Sequence, residues 1–329
     1  MPDTAVPRVV LFAGGVGGAR MAEGLRRVLP AGALTVVVNV GDDDVFHGLR
    51  VCPDLDTVLY TLSGRVHAAQ AWGVEGDGTR ALDVLKLLGA RDTWMTLGDA
   101  DIGLHLHRSQ RLREGARLTE VMAEVARAFG VTAAVVPATD ATVSTRIATD
   151  AGVLRFQEWF VRQRCAPAVR RILVEGADHA VITAEAAAAI RAADLVVYAP
   201  SNPFLSIAPI LAIPGVEGAL RGSRAHRVVV SPLINGLAVK GPLHRLMEDL
   251  GCAAGNAGIA DFYRGRVDGI VVDASDVADR SMLAERGLAV LASDTRIGDG
   301  PRAARLADEL LGWVRARRPA TVAEAEGRA

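Results

Sequence analysis

The sequence predicts an α/β protein, a Rossmann-like parallel sheet core carrying an inserted, mostly helical subdomain. Three observations predict it. Short, unbroken β-branched runs alternate with longer Ala/Leu/Arg-rich stretches of helical period, the rhythm of parallel α/β architecture. The runs do not alternate apolar with polar, which suits strands covered on both faces. The first of them, VVLFA, gives way at once to a glycine-rich turn and a helical stretch, the opening of a mononucleotide-binding unit.

Taken in order, the expected core strands are Val9–Ala13, Leu34–Asn39, Thr93–Leu97, Thr132–Val136, Leu195–Ala199, Arg227–Ser231 and Ile270–Asp273. Helices are expected at Gly18–Leu29, Leu55–Leu62, Thr79–Leu88, Leu118–Phe129, Ala184–Ala193, Leu243–Leu250 and Arg302–Arg315. Between residues 77 and 171 the pattern becomes more helical and more charged. That stretch is read as the insertion, with 1–76 and 172–315 as the nucleotide-binding core. The polar Ala/Glu/Arg-rich end, 316–329, is expected to fray.

Composition narrows the function. The chain has 329 residues, half of them apolar, enough for a large core. A formal net charge of −1 gives no global positive field to gather nucleic acid or an anionic membrane. Cys52, Cys165 and Cys252 are odd in number, far apart and outside any CxxC or Cys/His ligand spacing, so reduced thiols are expected. The first apolar run is too short for a leader and no segment approaches the roughly 20 apolar residues of a membrane span. A soluble, cytoplasmic protein without nucleic-acid or membrane partners is the expectation.

Two loops carry the chemistry. In GGVGGAR, Gly14, Gly15, Gly17 and Gly18 let backbone N–H groups approach an anion, and the following helix adds its positive end. Arg20 can grip phosphate bidentately. The run is not a complete G-x-G-x-x-G fingerprint, since Arg20 stands at the last glycine's place, and no GK[ST] makes it a P-loop. A tight β–α turn with no ligand is the bland alternative.

The second loop, NVGDDDVFHGLRVCPDLDT, begins with Asn39 at the end of the second strand, where open α/β sheets bind ligands. Asp42, Asp43, Asp44, Asp54 and Asp56 fall within fifteen residues, with only Arg50 and His47 to offset them. Two carboxylates about 5 Å apart repel by roughly 3 kcal/mol at an effective dielectric near 20, so their convergence requires a cation. Mg²⁺ fits, because it takes one or two carboxylates together with substrate phosphates and water. Otherwise this is a solvated acidic loop in which Asp54 simply caps the next helix.

Three further segments follow strand ends. TLGDADIGLHLHRSQ offers Thr96, Asp99 and Asp101; His105 and His107, two apart on a helix, face different ways and are read as packing or surface histidines. YAPSNP places Ser201 and Asn202 in a proline-fixed turn, as a nucleotide contact or a helix entry. SPLINGLAVKGP adds Ser231 and Lys240, a candidate phosphate partner. No GxSxG, H-E-x-x-H or S-x-x-K signature is present.

Together, GGVGGAR, N-x-GDD, H-G-x-R-x-CPDLDT, WG at Trp72 and Gly73, LGD-x-D, RSQ-x-LR-x-G, FQEWFVR, SNP, SIAPIL-x-IPG and SP-x-I resemble the 2-phospho-L-lactate transferase family over nearly the whole chain. The resemblance implies transfer of a phospho-acyl unit from a guanosine diphosphate carrier to the ribityl hydroxyl of the deazaflavin Fo. The products are GMP and the F420-0 form of coenzyme F420, or dehydro-F420-0 where the carried acid is enolpyruvate. Matching motifs imply Asp42 and Asp56 as Mg²⁺ ligands, with Asp54 a further candidate, and Fo near Asp56 and Thr96. A homodimer is also implied. Ala100 stands where the family more often has arginine in LGDRD, and the GGVGGAR form is closer to the actinobacterial type, which favours the enolpyruvyl donor.

Two other readings fit less of the chain. A related regulatory family that binds nucleotide sugars shares the GG-x-GG turn but is expected to lack WG, LGD-x-D and FQEW. An NAD-dependent oxidoreductase would meet an incomplete fingerprint and an acidic loop that repels a dinucleotide diphosphate.

Overall fold

The computed structural model describes residues 6–317. The last helix runs through Arg317, and the remainder of the expected fraying end, 318–329, lies outside the described residues.

The chain begins with β1 (Val9–Ala13), α1 (Gly15–Val28), β2 (Leu34–Val38), the hairpin β3 (Asp44–Phe46) and β4 (Leu49–Val51), and α2 (Pro53–Leu62). Then come α3 (Arg80–Leu87), α4 (Asp99–Arg113), α5 (Leu118–Ala128) and β5 (Ala134–Pro137). An antiparallel sheet of β6 (Ser144–Thr149), β7 (Gly152–Arg155) and β8 (Arg171–Glu175) follows. After α6 (Ala184–Ala192) come β9 (Leu195–Tyr198), α7 (Ala208–Leu211), α8 (Val216–Arg221) and β10 (His226–Val230). The chain ends through the hairpin β11 (Leu233–Ile234) and β12 (Leu237–Ala238), α9 (Leu243–Asp249), α10 (Gly255–Phe262), β13 (Gly269–Asp273), α11 (Arg280–Glu285), β14 (Ala289–Ser293) and α12 (Gly300–Arg317).

Seven strands make one sheet in the order β14-β13-β10-β9-β1-β2-β5, parallel at every pairing. Every residue of β1, β9 and β13 is buried, as unbroken apolar runs require of a doubly covered sheet. From β1 the chain moves outward to β2 and β5, then returns to β9 on β1's other side and moves outward to β14. The direction of travel therefore reverses between β1 and β9. Open α/β sheets place their ligands beyond the strands' carboxyl ends at such a reversal.

The expected strand at Thr93–Leu97 does not form. Asp92 takes a left-handed φ of 62° and accepts a 2.9 Å hydrogen bond from Trp94 Nε1, which turns the chain. Leu97 buries instead with Phe46 and Val51 in a small separate cluster. The stretch 77–171 supplies α3–α5, and also β5 at the sheet edge and β6–β7.

The LGD segment has a structural reason. Asp77 accepts hydrogen bonds from Ala100 N at 2.8 Å and Asp101 N at 3.3 Å, opening α4. Asp99 accepts from Ala81 N at 2.9 Å and Arg80 N at 3.2 Å, opening α3. Each helix thus carries the acid that caps the other or lies beside it, and a side chain at Gly98 would collide with Asp77. Asp77→Ala should destabilise the fold by about 1 kcal/mol, the usual cost of a lost cap, read as a lower midpoint in urea denaturation.

Candidate functional site

Beyond the carboxyl ends of β1 and β9 the two following loops meet in contacts that only glycine permits. Gly14 precedes α1 in extended geometry, with no acid in that helix's first turn. A Cβ on Gly14 would lie 2.6 Å from both Asp54 Oδ2 and Ser206 Cβ, and one on Gly17 would strike the Pro200 carbonyl. Ser201 Oγ donates to Gly14 O at 2.7 Å and accepts from Gly14 N at 3.3 Å. Asn202 Oδ1 caps the next helical turn by accepting from Phe204 N at 3.0 Å and Leu205 N at 3.2 Å. Ser201 thereby pins the end of β9 to the glycine turn. Arg20, one turn into α1, is half-buried.

The acidic loop folds back onto this turn. Asp54, on the first turn of α2, accepts from Gly15 N at 2.7 Å. Asn39, wholly buried at the end of β2, donates its amide to Asp42 Oδ1 at 3.0 Å and Asp54 Oδ2 at 2.9 Å, and its own Oδ1 accepts from Gly41 N at 2.8 Å. Because both acceptors share one nitrogen, those oxygens lie within about 6 Å of each other. At an effective dielectric of about 20 such a pair repels by about 3 kcal/mol when both are ionised. Burial first, then Asp54, pushes the Asp42 carboxyl well above the usual range. Burial also raises Asp54 to about 6, against the hydrogen bonds from Asn39 and Gly15.

Asp56 and Asp43 are neutralised differently. Asp56 lies against the buried Arg108 of α4, which bonds Oδ2 through Nη1 at 3.1 Å and Oδ1 through Nη2. His105 Nδ1 is 3.7 Å from Asp56 Oδ2, and burial lowers His105 to about 4, so this histidine is neutral at physiological pH. Arg50 pairs with Asp43 at 3.0 Å; burial still lifts Asp43 to about 6. Asp44 meets Arg155 at 3.4 Å at the rim of an open concavity of about 550 Å³ lined by Arg146, Arg155, Glu158 and Glu175.

The structure therefore brings together Gly14, Gly15, Gly17, Gly18, Asn39, Asp42, Asp54, Ser201 and Asn202, with Arg20 on the helix that leaves the turn. Asp56 stands on the same turn of α2 as Asp54 but faces Arg108. Thr96 is exposed just before α4, Asp99 caps α3, and Ser231 is buried at the end of β10, bonded to Asn256 Oδ1 at 2.6 Å. Lys240 is exposed, and His107 faces Glu124 at the surface.

Comparison with known proteins shows the family. The family described as 2-phospho-L-lactate transferase CofD matches residues 9–299. The chain belongs to the 2-phospho-L-lactate transferase family. It is 34% identical to the 2-phospho-L-lactate transferase of Methanosarcina barkeri, over 92% of this chain and 97% of that one. It is 35% identical to the phosphoenolpyruvate transferase of Nocardia farcinica, over 88% of this chain and 90% of that one. A solved Bacillus halodurans protein superposes with a TM-score of 0.60 at 19% identity, covering 88% of this chain and 93% of that one, a likeness of fold.

Two further side chains reach the acidic loop of this transferase-family chain from outside the two loops. Gln157, from FQEW, donates to the Asp42 carbonyl at 3.1 Å, and Arg108, from RSQ, holds Asp56. Both motifs are visible in the sequence, but their partners lie 115 and 52 residues away, beyond the reach of spacing arguments. Among the described residues, no group of three or more His, Cys, Asp or Glu gathers for a metal. Asp42 and Asp54 nevertheless suit Mg²⁺, which keeps waters and substrate phosphates as its other ligands: two buried carboxylates share a single amide donor, and their repulsion is what a cation relieves. No described helix is long and apolar enough to cross a membrane.

The raised carboxyls fix a sign. A carboxyl with a folded pKa above its unfolded value stabilises the fold below the unfolded pKa, and the gain disappears as pH rises through the folded pKa. For Asp43 and Asp54 that window runs from 3.8 to about 6, and removing the Asp42 charge relieves Asp54 as well. In chelator, Asp42→Asn should therefore melt higher than the wild-type protein at pH 7.5, by a few degrees, with the difference shrinking towards pH 4.5. Differential scanning fluorimetry at the two pH values measures it.

Proposed function

We propose that this transferase moves a 2-phospholactyl or phosphoenolpyruvyl group from a guanosine diphosphate carrier to the ribityl hydroxyl of Fo. The products are F420-0 or dehydro-F420-0, together with GMP. The observation that carries the reading is the junction of the two loops: Asp54 bonded to the first amide of α1 and, through Asn39, to Asp42. A diphosphate lying on the glycine turn would meet the carboxylates directly. The relatives named for phospholactate and for phosphoenolpyruvate support the carried group without choosing between the two.

The chain's own residues supply positioning and charge. The Gly14–Gly18 turn and the positive end of α1 receive the diphosphate, and Arg20 grips it from the helix. Mg²⁺, held at Asp42 with Asp54 alongside and Asp56 as the expected second ligand, would offset charge on the departing GMP. Phosphoryl transfer of this kind depends on alignment and charge neutralisation more than on a strong base. The Fo hydroxyl attacks in line at the phosphorus bearing the acyl group, an O–P bond forms, and the bond to GMP breaks. Asp54, poised near neutrality by burial, is the carboxylate placed to take the hydroxyl proton. Guanine is assigned to the strand ends at Ser201, Asn202 and Ser231, and Fo to the side of the insertion near Thr96. A cytoplasmic homodimer is part of the same proposal.

Purified protein incubated with Fo, Mg²⁺ and each guanosine diphosphate donor should yield one dominant deazaflavin product by mass spectrometry. Asp42→Ala and Asp56→Asn, whose amide oxygen leaves Arg108 an acceptor, should each lower turnover at least about a thousandfold with the fold retained, and Arg20→Ala about a hundredfold. Near-normal product from both aspartate variants would remove the cation from the reading.

A further inference from the structure

Ile147, Phe156, Trp159, Val169, Leu205 and Leu246 form a buried cluster of their own, separate from the main core. Trp159 lies in a π-helical turn, Glu158–Arg162, and Leu205 in a second one, Pro203–Ile207. Such turns are rare and, where they occur, frequent at functional sites. Each sends one polar group to the Asn39–Asp42 turn. Gln157, on which the first π turn opens, donates through Nε2 to the Asp42 carbonyl at 3.1 Å. Leu205 offers its carbonyl to the Asn39 amide at 3.4 Å.

The acidic turn passes between these segments. Thr145 N, from β6, donates to the Gly41 carbonyl at 2.7 Å. A Cβ on Gly41 would lie 2.6 Å from Thr145 Oγ1 and 2.9 Å from Pro209 Cβ of α7, so the chain has no room for a side chain there. Buried backbone groups need partners, and four in this turn have them. Val40 O accepts from Asp43 N at 3.2 Å and Gly41 N donates to Asn39 Oδ1 at 2.8 Å, while Gly41 O and Asp42 O accept from Thr145 and Gln157. Of these partners, only Gln157 is a side chain from outside the turn, and it is buried.

We propose that Gln157 is a positioning residue for the transfer reaction, whose amide fixes the Asp42 peptide and so holds the Asp42 carboxyl beside Asp54. The inference rests on the reading that Asp42 serves the reaction. When a peptide plane turns, the neighbouring Cα–Cβ bond turns with it, and a small misplacement of a site group costs rate more than binding. The π turn is what carries the amide to this carbonyl, with Trp159 and Phe156 anchoring it in the separate cluster.

The test compares Gln157→Met and Asp42→Ala with the wild-type protein, using Fo and whichever of the two guanosine diphosphate donors gives product. Methionine keeps the length of the side chain and removes the donor. Gln157→Met should lower kcat at least about tenfold and leave KM for Fo unchanged, and its crystal structure should show the Asp42 carboxyl displaced from the Asn39 amide. Gln157→Asn, which keeps an amide but falls one methylene short of the carbonyl, should do the same and serves if the methionine variant does not fold. Wild-type kcat in a folded Gln157 variant, or a rise in KM alone, with Asp42→Ala impaired, would overturn the inference and leave the reading of Asp42 standing. Normal turnover by Asp42→Ala would overturn that reading, and this inference with it.

Discussion

One amide, that of Asn39, holds two carboxylates that would otherwise repel each other, and the rest of the site is arranged around that contact. Asn39 can serve because it ends β2 beside the end of β1, placing its side chain under the glycine turn. Asp54 then bonds the first amide of α1, so the acidic loop and the start of that helix become one surface. Burial raises the proton affinity of both Asp42 and Asp54, and the Asp54 carboxyl raises that of Asp42 further. Buried carboxyls with raised proton affinities cluster where folds do chemistry, and the proposed reaction draws on this pair.

The surrounding architecture fixes this surface at several distances. The order in which the chain adds parallel strands reverses between β1 and β9, and Ser201 ties together the loops that follow them. The capping exchange of Asp77 and Asp99 joins α3 to α4, and α4 delivers Arg108 against Asp56 and Ser109 against the β4 backbone, accepting from Arg50 N at 2.8 Å. Gln157, between β7 and β8 of the small antiparallel sheet, braces the Asp42 backbone. The acid loop is thus held from the nucleotide-binding core on one side and from the 77–171 stretch on the other.

Much of this was legible in the sequence. VVLFAGGVGGAR announces β1, its turn and α1, because unbroken apolar residues, consecutive glycines and helical period leave few alternatives. The other buried strands were legible for the same reason, to within a residue or two at their ends. Others carried weaker signals. In β6, STRIAT alternates buried and part-exposed positions and reads as a polar loop, while β14, AVLAS, is short and rich in alanine. Thr93–Leu97 looked like a strand because its apolar residues are contiguous; the left-handed Asp92 that breaks it leaves no pattern. The acids of the site were identified from their density, but not their pairing. Asp54 joins Asp42 while Asp56, two residues on, faces away to Arg108, a choice made by contacts with distant segments.

Anomalous diffraction from crystals grown with Mn²⁺ and a guanosine diphosphate tests the central claim most directly. The account predicts a manganese peak at Asp42, shared with diphosphate oxygens that lie on the Gly14–Gly18 turn. A nucleotide bound elsewhere, or a diphosphate on that turn with no metal between it and Asp42, would contradict it.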